Sequence, residues 1–62
     1  MIKLKDDWNE EIDLLPSQIV KLRRHFQGWV TINFEKIDYY HFLIHGVKIE
    51  NLKNWGLIKN DC

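Results

Sequence analysis

Alanine is absent from this 62-residue chain, and cysteine and proline each occur only once. The single cysteine, Cys62, cannot form a disulfide within the chain, which excludes the class of small secreted domains that disulfides hold together. No apolar run approaches the roughly 20 residues of a membrane span. Charges within the first seven residues interrupt the apolar core that a signal peptide needs. We therefore expect a soluble, cytoplasmic protein that does not enter a membrane.

A chain this short forms at most one small domain, which buries only about 60% of the surface that its unfolded chain exposes. Such a core leaves little room for a walled pocket, and no glycine-rich phosphate loop or nucleophile elbow occurs. We predict a single domain over residues 1–62, with 1–6 and 59–62 frayed. We expect no enzymatic activity, no cofactor and no metal.

The chain has no surplus of either charge, since nine Lys and Arg residues balance nine Asp and Glu residues. Proteins that bind nucleic acid usually carry a basic surplus, so nucleic acid is a less expected partner. The charge is nevertheless uneven along the sequence. Acidic residues dominate the first fifteen positions, whereas Lys21, Arg23 and Arg24 follow with no acid between Pro16 and Trp29. These charges either face each other, are simply solvated, or form a polar surface for a partner.

Three segments carry local helix signals. Asp7 to Glu10 resembles a capping box and predicts a two-turn helix that ends before Pro16. Ser17 is a candidate cap for a second helix, with an apolar stripe that ends at Phe26. A last helix is predicted over Lys48–Trp55, with Gly56 as the residue after its C-cap and Leu57 folding back on it.

The segment from Trp29 to His45 fits two interpretations. Phe34, Ile37, His41 and Ile44 have helical spacing, and Gly46 can end a helix, so we prefer a helix over Asn33–His45. The alternative is a hairpin that turns at 35–38, because both halves of the segment are rich in strand-forming residues and alternate. The predicted fold is therefore all-α, a small bundle of three to four short helices. An α+β fold with a hairpin at 29–45 is the alternative.

Two motifs in this region are each typical of a function. A helix-turn-helix across Gly46 would bind DNA, but Phe42 stands where a small residue normally lets the helices approach. His41 and His45 have the spacing of a helical zinc site, but no third ligand accompanies them clearly. We prefer the interpretation that these side chains only pack within the fold.

Aromatic residues make up 13% of the chain, more than so small a core easily hides. Tryptophan, tyrosine and arginine are enriched at interface hot spots. We therefore predict a non-enzymatic protein-binding module, a small inhibitor or regulator of a larger host protein. The bias toward isoleucine, lysine and asparagine suggests a phage or mobile-element origin. The alternatives are a helix-turn-helix DNA-binding regulator and a self-associating homodimer. The predicted partner-binding residues are Arg23, Arg24, Trp29, Tyr39 and Tyr40.

Overall fold

Two β-hairpins lie side by side and share one sheet in the computed structural model, which describes residues 1–58. The elements in chain order are β1 (Ile2–Lys5), β2 (Glu11–Leu14), α1 (Pro16–His25), β3 (Asn33–Asp38), β4 (His41–His45) and α2 (Ile49–Asn54). The strand order is β2-β1-β4-β3. Strands β1 and β4 run parallel in the centre, and each pairs with an antiparallel neighbour outside it. The all-α prediction is therefore wrong, because the chain forms a small α+β fold.

The first hairpin follows from the alternation of apolar and polar residues in β1 and β2. The capping-box pattern from Asp7 to Glu10 obscured this alternation. Leu4 pairs with Ile12 and Ile2 pairs with Leu14, so the apolar side chains of β1 and β2 share one face. Residues 7–10, expected to begin a helix, instead form the loop between these strands. That helix is absent, and the segment 1–6, which we expected to fray, contains the central strand β1. The fraying expected at 59–62 lies outside the described residues.

The predicted helix over Asn33–His45 is wrong, because this segment forms the β3–β4 hairpin. The hairpin turns at Tyr39 and Tyr40 rather than at 35–38. Phe42 and Ile44 are buried, whereas the alternate residues of β4 are exposed or only partly buried, which is the period of a strand. The register shifts once, between Lys36 and Asp38, so the intervening Ile37 is the extra residue of a β-bulge.

Both helices cover the same face of the sheet. The helix predicted after Pro16 is confirmed, although Leu15 occupies the N-cap position and Pro16 the first helical position, so Ser17 does not cap it. Helix α2 is also confirmed. Helices and strands together bury one apolar cluster: Leu4, Leu14, Ile19, Leu22, Phe26, Ile32, Phe42, Ile44, Val47, Ile49, Leu52 and Ile58.

Two glycines fix the ends of elements. Gly56 has a φ of 76°, and the Gly56 and Leu57 N–H groups donate to the carbonyls of Lys53 and Leu52. These two bonds form a Schellman motif, and they confirm Gly56 as the residue after the C-cap of α2. Gly46 has a φ of 94°, but it follows a strand rather than a helix. A Cβ at Gly46 would run into the Thr31 carbonyl, so only glycine lets the two chain segments approach.

Asp6 joins the first hairpin to the second helix. Asp6 is 5% exposed, and its Oδ1 accepts hydrogen bonds from the N–H groups of Trp8 and Glu10 at 2.8 and 2.9 Å. Its Oδ2 accepts the N–H of Ile49, the first residue of α2, at 2.8 Å. One carboxylate thus closes the β1–β2 loop and satisfies a free N–H at the start of a helix whose own N-cap, Lys48, makes no side-chain cap bond.

None of the helices within residues 1–58 has both the length and the apolar character needed to cross a membrane.

Candidate interaction surface

The tip of the β3–β4 hairpin exposes two aromatic rings to solvent. Tyr39 is 80% exposed and Tyr40 is 65% exposed, and their ring centroids lie 6.5 Å apart. Below them, Asp38 Oδ1 accepts the Tyr40 N–H at 2.8 Å, and both Asp38 oxygens lie 2.8 Å from His41 Nδ1. The Tyr40 N–H, and next the His41 side chain, hold the pKa of Asp38 below its usual value. The tip is therefore a turn braced by side-chain hydrogen bonds, and the two rings project from it.

Cationic side chains lie next to this tip on the helix-covered side of the sheet. The Lys36 ammonium is 4.8 Å from the centre of the Tyr39 ring. The Arg23 guanidinium of α1 is 5.8 Å from the centre of the Phe42 ring, and Phe42 is the register partner of Lys36. Arg24 follows Arg23 on α1 and, with Arg23, lines a shallow depression. We call Arg23, Arg24, Lys36, Tyr39 and Tyr40 the α1–hairpin surface.

The cations of this surface have no acidic partner within residues 1–58. None of the ion pairs formed in that part of the chain involves Arg23, Arg24 or Lys36. Helix α1 itself contains no Asp or Glu. An arginine over an aromatic ring is held by cation–π attraction rather than by a carboxylate, so its guanidinium N–H groups stay available to a partner.

Trp29 lies apart from the other predicted residues. Its ring packs edge-on against Phe26 with 5.2 Å between centroids, and it lies 6.2 Å from His25. Phe26 in turn is 6.4 Å from Phe34, near the beginning of β3, whereas Tyr39 follows its end. Five residues of strand separate those positions by roughly 16 Å. The structure thus brings Arg23, Tyr39 and Tyr40 into one region and gives Trp29, 51% exposed, a share in covering the core.

Sequence reasoning missed a second polar cluster at the other end of β4. His45 Nδ1 lies 2.7 Å from Asp7 Oδ1, and His45 Nε2 lies 3.1 Å from Glu35 Oε1. The second oxygen of Asp7 accepts the Gly46 N–H at 3.1 Å. Asp7, and then Glu35, raise the pKa of His45, while His45 and the Gly46 N–H lower the pKa of Asp7.

This cluster fastens the β1–β2 loop to the edge of the second hairpin. Both nitrogens of His45 are engaged by carboxylates, so the imidazole has no free nitrogen with which to take a proton from a substrate. The zinc spacing of His41 and His45 is also lost, since four residues along a strand span roughly 13 Å. Residues 1–58 contain no group of three His, Cys, Asp or Glu side chains placed to hold a metal ion.

The uncovered face of the sheet is charged but internally balanced. In the β1–β2 register Lys3 stands opposite Asp13 and Lys5 opposite Glu11, and Lys3 also forms a 3.4 Å ion pair with Glu11. Opposite charges in directly paired positions stabilise a sheet modestly and leave little net field above it. This face has the composition of a solvated surface.

The helix-turn-helix considered across Gly46 is not formed, because β4 and not a helix precedes that glycine. No known family model matches the chain, and no curated protein or solved structure shows significant similarity to it.

Proposed function

We propose that this protein is a non-enzymatic protein-binding module, an inhibitor or regulator that docks its α1–hairpin surface onto a larger host protein. The observation that carries the proposal is the hairpin tip, where Tyr39 and Tyr40 are exposed beside Arg23 and Lys36, two cations that form no ion pair within residues 1–58. Tyrosine and arginine contribute most to binding where a partner can desolvate them together. A phage or mobile-element origin remains a prediction from composition.

The way the tip is built supports this use. Asp38 and the β-bulge at Ile37 hold the turn in one arrangement, so little conformational entropy is lost when a partner covers the rings. A tyrosine ring offers a large rigid contact area with only two side-chain torsions to fix. The depression lined by Arg23 and Arg24 is shallow, which suits a protein surface better than an enclosed small substrate.

A second copy of the chain is the weaker partner. Strand β3 lies at one edge of the four-stranded sheet. A symmetric antiparallel contact between the β3 strands of two copies would form one continuous sheet with the helices of both copies on the same face. When such a contact is centred on the strand, it places Glu35 opposite Glu35 or Lys36 opposite Lys36. Like charges in paired positions are destabilising, and edge strands commonly carry charges and bulges that prevent such pairing.

The test is photo-crosslinking in the native host with a photoreactive phenylalanine derivative at position 40. The chain should capture one protein, and the Tyr39→Ala variant should lower that capture at least about tenfold, the loss expected of a hot spot. Trp55→Ala is the matched control, because Trp55 is also an exposed aromatic side chain but lies at the end of α2.

Circular dichroism and thermal melting of both variants provide the folding control. Tyr39 belongs to no part of the buried cluster, so its removal should leave the melting temperature nearly unchanged. Equal capture by wild type and Tyr39→Ala, or loss of capture by Trp55→Ala alone, contradicts the proposal.

A further inference from the structure

We infer that His45 is a pH-dependent tie on the edge strand β3: the protonated imidazolium holds Asp7 and Glu35 together, and the neutral imidazole keeps Asp7 and releases Glu35. This inference goes beyond the proposed function and does not depend on it. It follows from the position of one imidazole between two carboxylates that belong to different parts of the chain.

The contact bridges three segments of the sheet. Asp7 lies in the β1–β2 loop, His45 ends β4, and Glu35 lies on β3, an edge strand that pairs only with β4. His45 Nδ1 is 2.7 Å from Asp7 Oδ1, and His45 Nε2 is 3.1 Å from Glu35 Oε1. Only the imidazolium has two N–H groups, so only this form can donate to both carboxylates at once.

Loss of the imidazolium proton must break one of these two bonds. A neutral imidazole carries a single N–H, and its other nitrogen is an acceptor. An ionised carboxylate is also only an acceptor, so it cannot bond to the nitrogen that has lost its proton. Histidine is the side chain that makes this change near neutral pH. Asp7, and then Glu35, raise the pKa of His45, so the change takes place above the ordinary pKa of histidine.

The geometry favours Asp7 as the contact that remains. Its bond to His45 is the shorter of the two, and its second oxygen accepts the Gly46 N–H at 3.1 Å, which keeps the carboxylate beside Nδ1. The Glu35 side chain is 57% exposed, and within residues 1–58 its only hydrogen bond is to His45. Glu35 can therefore turn into solvent, and we expect neutral His45 to carry its proton on Nδ1.

The other charged groups of the segments packed around His45 are Asp6, Glu10, Lys5, Lys48 and His41. Within residues 1–58 none of them forms an ion pair with His45, Asp7 or Glu35. Asp6 accepts main-chain N–H groups, the Lys48 ammonium lies over the Trp8 ring, and His41 contacts Asp38. The two carboxylates in direct contact with His45 therefore control its protonation.

The experiment is an NMR titration of the isotopically labelled full-length chain from about pH 5 to pH 9, a range that covers the titration of histidine. It is read at the ring nitrogens of His45 and the carboxyl carbon of Glu35. The Glu35 signal should change in the same step as the His45 ring. Above that step the ring nitrogens should show the proton on Nδ1, and the Gly46 amide should stay protected from exchange by its bond to Asp7.

A pair of charge-removing variants tests the role of Glu35. Glu35→Gln removes the second carboxylate and leaves Asp7 in place, so it should lower the pH at which His45 titrates. Asp13→Asn is the matched control, because it removes the same charge from an exposed position of β2, and it should leave the titration of His45 nearly unchanged. Circular dichroism checks that both variants fold, and the ring readout of the wild type needs no substitution.

Three results would overturn the inference. They are a Glu35 carboxyl signal that does not follow the His45 step, a neutral ring that carries its proton on Nε2, and equal titration of His45 in the wild type and in Glu35→Gln. The proposed function fails separately, through the crosslinking experiment, because none of these measurements involves a partner.

Discussion

Removal of the Asp6 carboxylate should destabilise this fold more than any other loss of one acidic group within residues 1–58. Asp6 is 5% exposed, and it accepts the N–H groups of Trp8, Glu10 and Ile49. Its hydrogen bond to Ile49 joins residues 43 positions apart in the sequence. The loop between β1 and β2 and the start of α2 therefore depend on the same side chain.

The magnitude follows from what each substitution leaves unpaired. A hydrogen bond to a charged group contributes about 1.5–3 kcal/mol net, and an N–H left buried without a partner costs about 1–3 kcal/mol. Since the two loop N–H groups are only partly buried, we expect Asp6→Ala to lower the free energy of unfolding by about 3–5 kcal/mol. Asp6→Asn should cost about 2 kcal/mol, because an amide has one acceptor oxygen and must turn its NH₂ toward either Ile49 or the loop.

These losses are large for so small a domain, whose total stability is about 3–9 kcal/mol at roughly 0.05–0.15 kcal/mol per residue. Urea unfolding followed by far-ultraviolet circular dichroism measures them. Asp13→Asn is the matched control, since Asp13 is exposed on the uncovered face, and it should change stability by less than about 0.5 kcal/mol. Amide exchange at Ile49 should accelerate in the Asp6→Asn variant. A cost below about 1 kcal/mol for Asp6→Ala would refute the assignment of Asp6 as the shared acceptor.

Three further predictions concern a glycine at a close approach, a histidine–carboxylate contact and a core leucine. Gly46→Ala should lower the free energy of unfolding, measured in urea, by at least about 2 kcal/mol more than Gly28→Ala does. Both glycines have a positive φ, but a Cβ would meet a carbonyl at Gly46 and nothing at Gly28. Equal losses in the two variants would contradict this. Because the pKa of His45 is raised in the folded state, this contact contributes fully to the stability of the fold at a pH below the ordinary His pKa of 6.5. That contribution is lost as the pH rises through the folded-state pKa. Because the pKa of Asp7 is lowered in the folded state, its contribution to the stability of the fold is lost only as the pH falls below the ordinary Asp pKa of 3.8. The melting temperature of the wild type should therefore decline from pH 6 to 8 more than that of His45→Gln, and parallel declines would contradict the contact. Leu52→Ala, at a fully buried position of α2, should cost about 2–5 kcal/mol by urea unfolding, and a loss under 1 kcal/mol would contradict its place in the core.

The parts of the fold that the sequence predicted are those with local signals. Pro16 fixes the start of α1, and Gly56 ends α2 through hydrogen bonds within six residues of chain. The first hairpin was missed although Ile2 and Leu4 alternate with lysines, because the acidic residues after them resemble a helix cap. Asp7 was taken for that cap, yet its carboxylate binds His45 and Gly46, a contact that local spacing cannot reveal.

In the segment after Asn33, the helical spacing of some apolar residues coincides with the alternating pattern of a strand in others. Phe34, Ile37, His41 and Ile44 have helical spacing, but Ile37 is an exposed bulge residue and His41 faces solvent. The informative pair was Phe42 and Ile44, which alternate with more polar neighbours as a strand requires. What decides between the two structures is the parallel pairing of β4 with β1, which joins distant parts of the chain.

The candidate site could be predicted only in part. Arg23 and Arg24 were found from charge alone, and Tyr39 and Tyr40 from an excess of aromatic residues. That Arg23 lies in the same region as Tyr39 and Tyr40 depends on the hairpin register, which places Phe42 beneath Arg23 and opposite Lys36. Lys36 was missed because nothing in its sequence neighbourhood separates it from an ordinary surface lysine.

We propose that the partner docks on the α1–hairpin surface. Hydrogen–deuterium exchange on the complex with the crosslinked partner tests it most directly, read on peptides that cover the whole chain. We expect slower exchange at 20–27 and 36–42 when the partner is bound, with 2–5 and 11–14 unchanged. Protection confined to β1 and β2 on the uncovered face, with none at the hairpin tip, would contradict it.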